Sequence, residues 1–158
     1  TLRGFHQRLF HFGNELPGVK KTLMKAAQGE SLAIIDGSPG IGCPVIASMS
    51  GVNLVLIVAE PSLSGRSDLE RILKTAEIFR TKAAICVNKY DTSLENTEKI
   101  ERFCADLGVP FVGRVPYDRQ ASAAINEGKS LADVDCPASY ALREVFERTM
   151  KLLEDDTK

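Results

Sequence analysis

Four apolar runs, each ending in polar or conformationally special residues, predict an α/β fold with a doubly wound, mainly parallel sheet. The first is LAIID at 32–36, which breaks into GSPGIGCP at 37–44. The second is NLVLIVAE at 53–60, running into Pro61. The third is AAICVN at 83–88, running into Lys89, Tyr90 and Asp91, and the fourth is PFVGRV at 110–115, running into Pro116, Tyr117 and Asp118. Unbroken aliphatic runs are what strands covered on both faces require. Amphipathic stretches between them supply helical crossovers, which are right-handed when the strands are parallel. Ligands of such sheets lie beyond the carboxyl ends of the strands, so four polar tips predict one ligand edge.

The elements follow in order along the chain. Residues 1–13 (TLRGFHQRLFHFG) alternate in a way that suggests a strand or ribbon, with Phe5, Leu9 and Phe10 partly buried. His6 and His11 are five apart, which suits neither one helical face nor one side of a strand, so they are not read as metal ligands. Residues 17–28 suit a helix with Val19, Leu23 and Ala26 or Ala27 inward, ended by Gly29. After the second run, Ser67-Asp-Leu-Glu70 reads as a capping box, and Leu69, Ile72, Leu73, Ala76 and Phe79 make one apolar stripe. From Ser93 a second crossover helix carries Ile100, Phe103, Cys104 and Leu107 and ends at Gly108 and Pro110. A short helix at 119–127, a loop at 128–136 and a final helix at 138–153, with Tyr140, Val145, Phe146 and Leu152 or Leu153 inward, complete the chain.

Composition narrows the class. The 158 residues suffice for one domain, and 44% hydrophobic with 26% charged residues is the balance of a soluble protein. No apolar run reaches the ~18 residues of a spanning helix, so no membrane span is expected. A net charge of −1, with Lys20, Lys21 and Lys25 interleaved among apolar residues, offers no electrostatic footprint for direct nucleic-acid binding. Cys43, Cys86, Cys104 and Cys136 are too dispersed for a zinc or iron–sulfur site built from this chain alone. Cys86 and Cys104 read as small core residues, and unpaired cysteines suggest a reducing cytoplasm.

The tips carry the chemistry. A carboxylate at the end of a buried strand can hold Mg²⁺ through a water, and the small residues after Asp36 let backbone N–H groups approach a phosphate. The N–H of Gly40 would then sense the γ-phosphate, making 36–44 a nucleotide switch. The same residues also suit an ordinary tight turn capped by Asp36. Asn88-Lys89-Tyr90-Asp91 matches N-K-x-D, in which Asn holds a purine, Lys covers the ring or sugar and Asp pairs with guanine. Its wording favours GTP. Against that, a GTPase switch has Gly three residues after its Asp, whereas Pro39 stands there and lacks an N–H.

Taken in order, IIDGSPGIGCPVIAS (34–48), VAEPSLSGRSDLERIL (58–73), VNKYD (87–91) and VPYD (115–118) resemble the MinD/ParA-type P-loop ATPases. Within them, the chain resembles the branch with an inserted ferredoxin-like domain carrying two iron–sulfur clusters. The resemblance runs from about Arg8 to Leu131 and implies a P-loop NTPase-like sheet. It makes Asp36 the Mg²⁺-linked carboxylate, bound through water, and Gly40 the phosphate sensor. Asn88, with Lys89, would contact adenine, Pro116 and Asp118 would line the adenine pocket, and Glu60 and Pro61 would line the nucleotide or a dimer contact. Asp91 is not needed to read guanine in this family, so the resemblance favours ATP over GTP.

Two departures qualify what is implied. Cys43 stands near where several relatives carry a water-activating carboxylate, which leaves that group unidentified or hints at redox coupling. No G-x-x-x-x-G-K-[ST] or lysine-bearing variant of it occurs in 1–158. The whole chain is therefore expected to be the C-terminal part of an ATPase domain, with the Walker A strand and loop and the ferredoxin insert outside it. The expectation is an ATP-binding switch that couples hydrolysis to iron–sulfur redox or cluster handling in the full-length protein, as a homodimer with a redox or iron–sulfur partner protein. Alone, the segment is expected to be inactive, since the phosphate nest and lysine that stabilise the transferring phosphoryl group are missing. The rival readings are a GTPase and a non-catalytic interaction module that lost its P-loop.

Overall fold

The computed structural model of the protein describes residues 32–37, 48–49 and 51–155. The expected ribbon at 1–13, the helix at 17–28, and the switch residues Gly40 and Cys43 lie outside them. The described residues divide between two compact units, one taking those up to Val55 with Arg71–Lys82, the other Leu56–Glu70 with Ala83 onward.

Three strands form one sheet in the order β1 (Leu54–Ala59), β2 (Lys82–Asn88), β3 (Phe111–Val115), with helices α1 (Leu63–Ile78), α2 (Leu94–Leu107), α3 (Arg119–Asn126) and α4 (Pro137–Glu154) between and after them. This is the mainly parallel, doubly wound α/β arrangement that the alternating runs predict. β2 is the central strand, and Ala84, Ile85, Cys86 and Val87 are buried in succession, as a strand covered on both faces must be. Burial pushes the Cys86 thiol up to about 11, which makes it an inert core residue. Cys104 on α2 is likewise pushed up to about 11, by burial and then by the charge of Glu101.

Two of the four expected strands behave differently from the expectation. Residues 32–37, which include Asp36, form no strand, and Ile34 is 61% exposed. An extended apolar run becomes a strand only by pairing its N–H and C=O groups with a neighbour, and among the described residues no strand pairs with it. β1 buries Ile57 and Ala59 but leaves Leu56 and Val58 exposed, Val58 by 60%. Successive side chains of a strand point to opposite faces, and only one face of β1 is covered among the described residues.

Helix starts are set by local polar groups. α1 begins a turn before the expected capping box at Ser67, because Ser62 Oγ accepts from the N–H of Gly65 at 3.0 Å and serves as the cap. The N–H of Ser62 in turn donates to the Glu60 carbonyl at 2.8 Å, and a Cβ at Gly65 would lie 2.5 Å from that oxygen. A side chain at 65 would thus force the turn after β1 open. α2 starts as predicted at Ser93, whose hydroxyl accepts from Asn96 N, and ends at Gly108 with φ 65°. Its buried stripe is Thr97, Ile100 and Cys104; Leu107, expected inward, is exposed at the last turn. On α4, Val145 is buried as expected, while Tyr140 faces outward and hydrogen-bonds the Asp135 carboxylate.

β3 pairs parallel with β2, Ile85 opposite Phe111 but Cys86 opposite Gly113, so Val112 is an extra residue in the ladder. Gly113 follows it at φ 153°, and a Cβ there would lie 2.8 Å from Val145 Cγ2 on α4. The bulge, the positive φ and the close approach of α4 all require glycine at this point. Gly113→Ala is expected to cost about 1–3 kcal/mol of stability by overpacking and backbone strain. Urea denaturation of the single variants and of the pair with Val145→Ala checks this: the cost of Gly113→Ala should shrink when Val145 is truncated.

Candidate functional site

The carboxyl ends of the three strands turn into Glu60-Pro61, Asn88 to Asp91, and Pro116 to Asp118, and polar contacts tie these tips together. At the first junction, Lys89 Nζ meets Glu60 Oε1 at 2.7 Å, linking the end of β2 to the end of β1. The Glu60 carboxylate holds the Lys89 ammonium above its ordinary pKa through this hydrogen bond and charge. Both side chains are substantially exposed, so the pair orients more than it stabilises. Asn96 Nδ2 donates to the Pro61 carbonyl at 3.4 Å, joining α2 to the same tip.

The second junction is Asp91. Its Oδ1 accepts from the backbone N–H of Tyr117 at 2.7 Å, linking the end of β2 to the end of β3. The turn that carries Asp91 is itself held firmly. Lys89 adopts a left-handed conformation at φ 53°, and the Tyr90–Thr92 turn that follows is closed by Thr92 Oγ1 on the Lys89 carbonyl at 2.7 Å. Fully buried Thr97 donates its hydroxyl to the Tyr90 carbonyl at 2.9 Å, anchoring the turn on α2. Arg114 lies over the Tyr90 ring at 5.8 Å and forks onto the Glu101 carboxylate.

Asn88 stands half-buried at the end of β2, with Oδ1 accepting from the N–H of Lys89 at 3.0 Å. That bond fixes the amide so that its NH₂ edge has no partner among the described residues. An amide NH₂ edge at a strand tip is a hydrogen-bond donor open to an acceptor nitrogen or oxygen. Asp36 is exposed and has no hydrogen-bond or ion-pair partner among the described residues. Among the described residues, no group of three or more His, Cys, Asp and Glu is placed to hold a metal on its own.

Asp118 is more heavily engaged than a ligand contact alone requires. It is the N-cap of α3, with Oδ1 accepting from Gln120 N at 2.8 Å and Ala121 N at 3.5 Å, while Oδ2 accepts from Ala138 N in the first turn of α4 at 3.3 Å. One carboxylate thus sits at the positive ends of two helices. Desolvation is the largest single influence on it and would raise its pKa. The N–H groups of Gln120, Ala138 and Ala121 together with the Cys136 thiol outweigh desolvation and hold it below the ordinary carboxylate range.

Of the residues expected at the ligand edge, the structure therefore brings Glu60, Pro61, Asn88, Lys89, Pro116 and Asp118 onto one set of linked strand tips, and it describes Asp36 by itself. Sequence reasoning missed Tyr117, whose N–H is the acceptor-seeking group that joins β3 to β2. A backbone donor carries no residue signature, and only the position of Tyr117 between Pro116 and Asp118 hinted at it. It also missed Cys136 and Ala138 as partners of Asp118, because that contact spans 20 residues of chain.

No family model matches the chain. It is 27% identical over 124 residues to the uncharacterized protein MJ0578 of Methanocaldococcus jannaschii, covering 77% of this chain and 41% of that protein. It is 30% identical over 97 residues to MJ0579 of the same organism, covering 61% and 32%. It is 23% identical over 150 residues to the iron-sulfur cluster carrier protein of that organism, covering 86% and 52%. The chain thus spans about half or less of the length of these curated relatives. Among solved structures it is similar to the MinD cell division protein of Aquifex aeolicus, with a TM-score of 0.71 and 21% identity over 87% of this chain and 61% of that one. The cell division ATPase MinD of Pyrococcus furiosus gives a TM-score of 0.65 and 18% identity over 84% and 57%. The fold is that of these MinD structures, and no helix among the described residues is long and apolar enough to cross a membrane.

Asp118 binds fewer protons in the folded state than in the unfolded chain, because its folded pKa is depressed. Its contribution to stability is therefore complete above the ordinary carboxylate pKa of 3.8 and is lost as pH falls through the lower folded value. Urea midpoints measured from pH 6 down to 2 should fall in this range, and Asp118→Ala should start from a lower midpoint with a shallower acid limb.

Proposed function

We propose that this chain is the C-terminal part of a MinD/ParA-like ATPase domain and forms the base-binding side of an ATP-dependent switch. The observation that carries the reading is Asn88: its amide oxygen accepts from Lys89 N and its NH₂ edge has no partner among the described residues, on a strand tip to which Pro116 to Asp118 are bound through Asp91. Asn88 donates to the adenine ring, Lys89 flanks the base or sugar, and Pro116 and Tyr117 present backbone along the ring. Asp118 acts in this reading by holding that backbone, with its carboxylate committed to two helix ends. Glu60 keeps Lys89 extended along the rim, and Pro61 stiffens the turn after β1.

Asp36 is assigned the Mg²⁺-linked carboxylate and Gly40 the sensor of the γ-phosphate. Mg²⁺ supplies charge neutralisation to the transferring phosphoryl group when bound. The Walker A lysine and its phosphate nest are assigned to the polypeptide outside 1–158, as is an iron–sulfur-binding insert. Support comes from the MinD-like fold, from coverage of only 52% of the similar iron-sulfur cluster carrier protein, and from the blocks 34–48, 58–73, 87–91 and 115–118 in that order. In the full-length protein the switch couples nucleotide state to iron–sulfur redox or cluster handling, as a homodimer facing across the nucleotide and in concert with a redox or iron–sulfur partner, in the cytoplasm.

A GTP reading rests on the literal N-K-x-D at 88–91. Competition between ATP and GTP on the full-length protein separates the two: ATP should displace GTP, and the reverse order would replace the ATP reading. Asn88→Ala should weaken ATP binding about fivefold through loss of the base contact. Asp36→Ala should leave binding largely intact while lowering ATP turnover by about a hundredfold or more. Unchanged turnover in Asp36→Ala would remove the mechanism.

A further inference from the structure

In the N-K-x-D stretch the Asp91 carboxylate is directed at the protein itself. In the guanine-reading use of this pattern the carboxylate must face the ring and accept from two of its N–H groups. Here Oδ1 accepts the backbone N–H of Tyr117 at 2.7 Å. Such a charge-assisted bond to a main-chain donor is among the stronger hydrogen bonds available to an exposed carboxylate.

Three independent features show that this orientation is built in. The left-handed Lys89 reverses the chain so that Asp91 follows on a tight turn, a conformation that a non-glycine residue adopts only when its surroundings hold it. The hydroxyls of Thr92 and Thr97 close that turn from two sides, Thr97 from a fully buried position. On the receiving side, Tyr117 is flanked by Pro116, whose φ is set by its ring, and by Asp118, which is anchored to α3 and α4. The N–H of Tyr117 therefore meets Asp91 with little freedom on either partner.

We propose that Asp91 is a positioning residue that sets base specificity indirectly: it braces Pro116 to Asp118 against the end of β2, which keeps the base-lining backbone in place and withdraws the carboxylate from guanine. The inference rests on the ATP reading above and deepens it. Adenine, which needs a donor for its ring nitrogen and backbone along its edge, is served by Asn88 and the braced segment. Guanine, which needs an acceptor carboxylate facing its N–H edge, is not.

The two Asp91 variants divide the roles. Asparagine keeps a carbonyl oxygen for Tyr117 N, whereas alanine removes the acceptor. In the full-length protein, Asp91→Asn should retain slow hydrogen exchange at the Tyr117 amide, keep its ATP affinity within about twofold and gain no affinity for xanthosine triphosphate. Asp91→Ala should speed exchange at Tyr117 about tenfold and raise KM for ATP about fivefold with kcat little changed, because the brace acts on base placement and not on phosphoryl transfer. A gain of xanthosine triphosphate binding in Asp91→Asn would overturn the proposal, since it would mean that the carboxylate reads the ring. Unchanged Tyr117 exchange in Asp91→Ala would overturn it as well. Faster exchange in Asp91→Ala together with no ATP binding by the wild type would remove the ATP reading and with it the specificity role, leaving Asp91 as a structural contact.

Discussion

The Asp118 carboxylate stands where β3 ends and two helices begin, and much of the surrounding structure follows from its hydrogen bonds. Helix N-termini present N–H groups without partners in their own first turn, and each such end needs an outside acceptor. α3 finds one in Asp118 Oδ1, and α4 brings Ala138 N to Oδ2. A single anion at two helix ends ties the starts of both helices to the end of β3. It also fixes the course of Pro116 and Tyr117, because the residue that follows them cannot move without releasing two helices. α4 then returns along β3, where Val145 packs against Gly113 and Arg148 reaches the Val112 carbonyl at 3.4 Å.

The strand tips form a second tier that depends on the first. Glu60 with Lys89, and Asp91 with Tyr117, link neighbouring strand ends by side chains where the ladder bonds have run out. These contacts are exposed and individually modest, and screening by salt weakens the Glu60–Lys89 pair in particular. Their effect is geometric: they reduce the number of arrangements open to the turns at the carboxyl edge of the sheet.

Much of this architecture was legible in the chain. The runs that became β1, β2 and β3 were found within a residue at either end, since aliphatic runs bounded by Gly, Pro and polar residues carry a strong signal. Ser93 and Gly108 marked both ends of α2 through local chemistry alone. The errors have local causes too. Ser67 opens a complete box pattern, yet Ser62, next to the turn at Glu60 and Pro61, holds the Gly65 N–H and starts α1 earlier. Helical spacing points Tyr140 inward, but the apolar stripe of α4 is centred on Ala138 and Val145. The run at 32–36 had the composition of a strand without a paired neighbour among the described residues, and composition cannot supply one.

Residue types and their order determined the fold class, the succession of elements, the positions of the polar tips and the likeness of four blocks to one ATPase family. These are properties of nearest neighbours and of short periods, so they are written within a few residues of where they act. The tertiary structure decided what the polar residues do. Asp91, which in sequence reads as a guanine contact, turns to the main chain 26 residues on, and Asp118, which reads as a pocket residue, joins two helix ends. A carboxylate has the same identity whether it meets a ligand or a backbone N–H. Only the folding that brings Tyr117 and Ala138 within hydrogen-bonding distance selects between those partners.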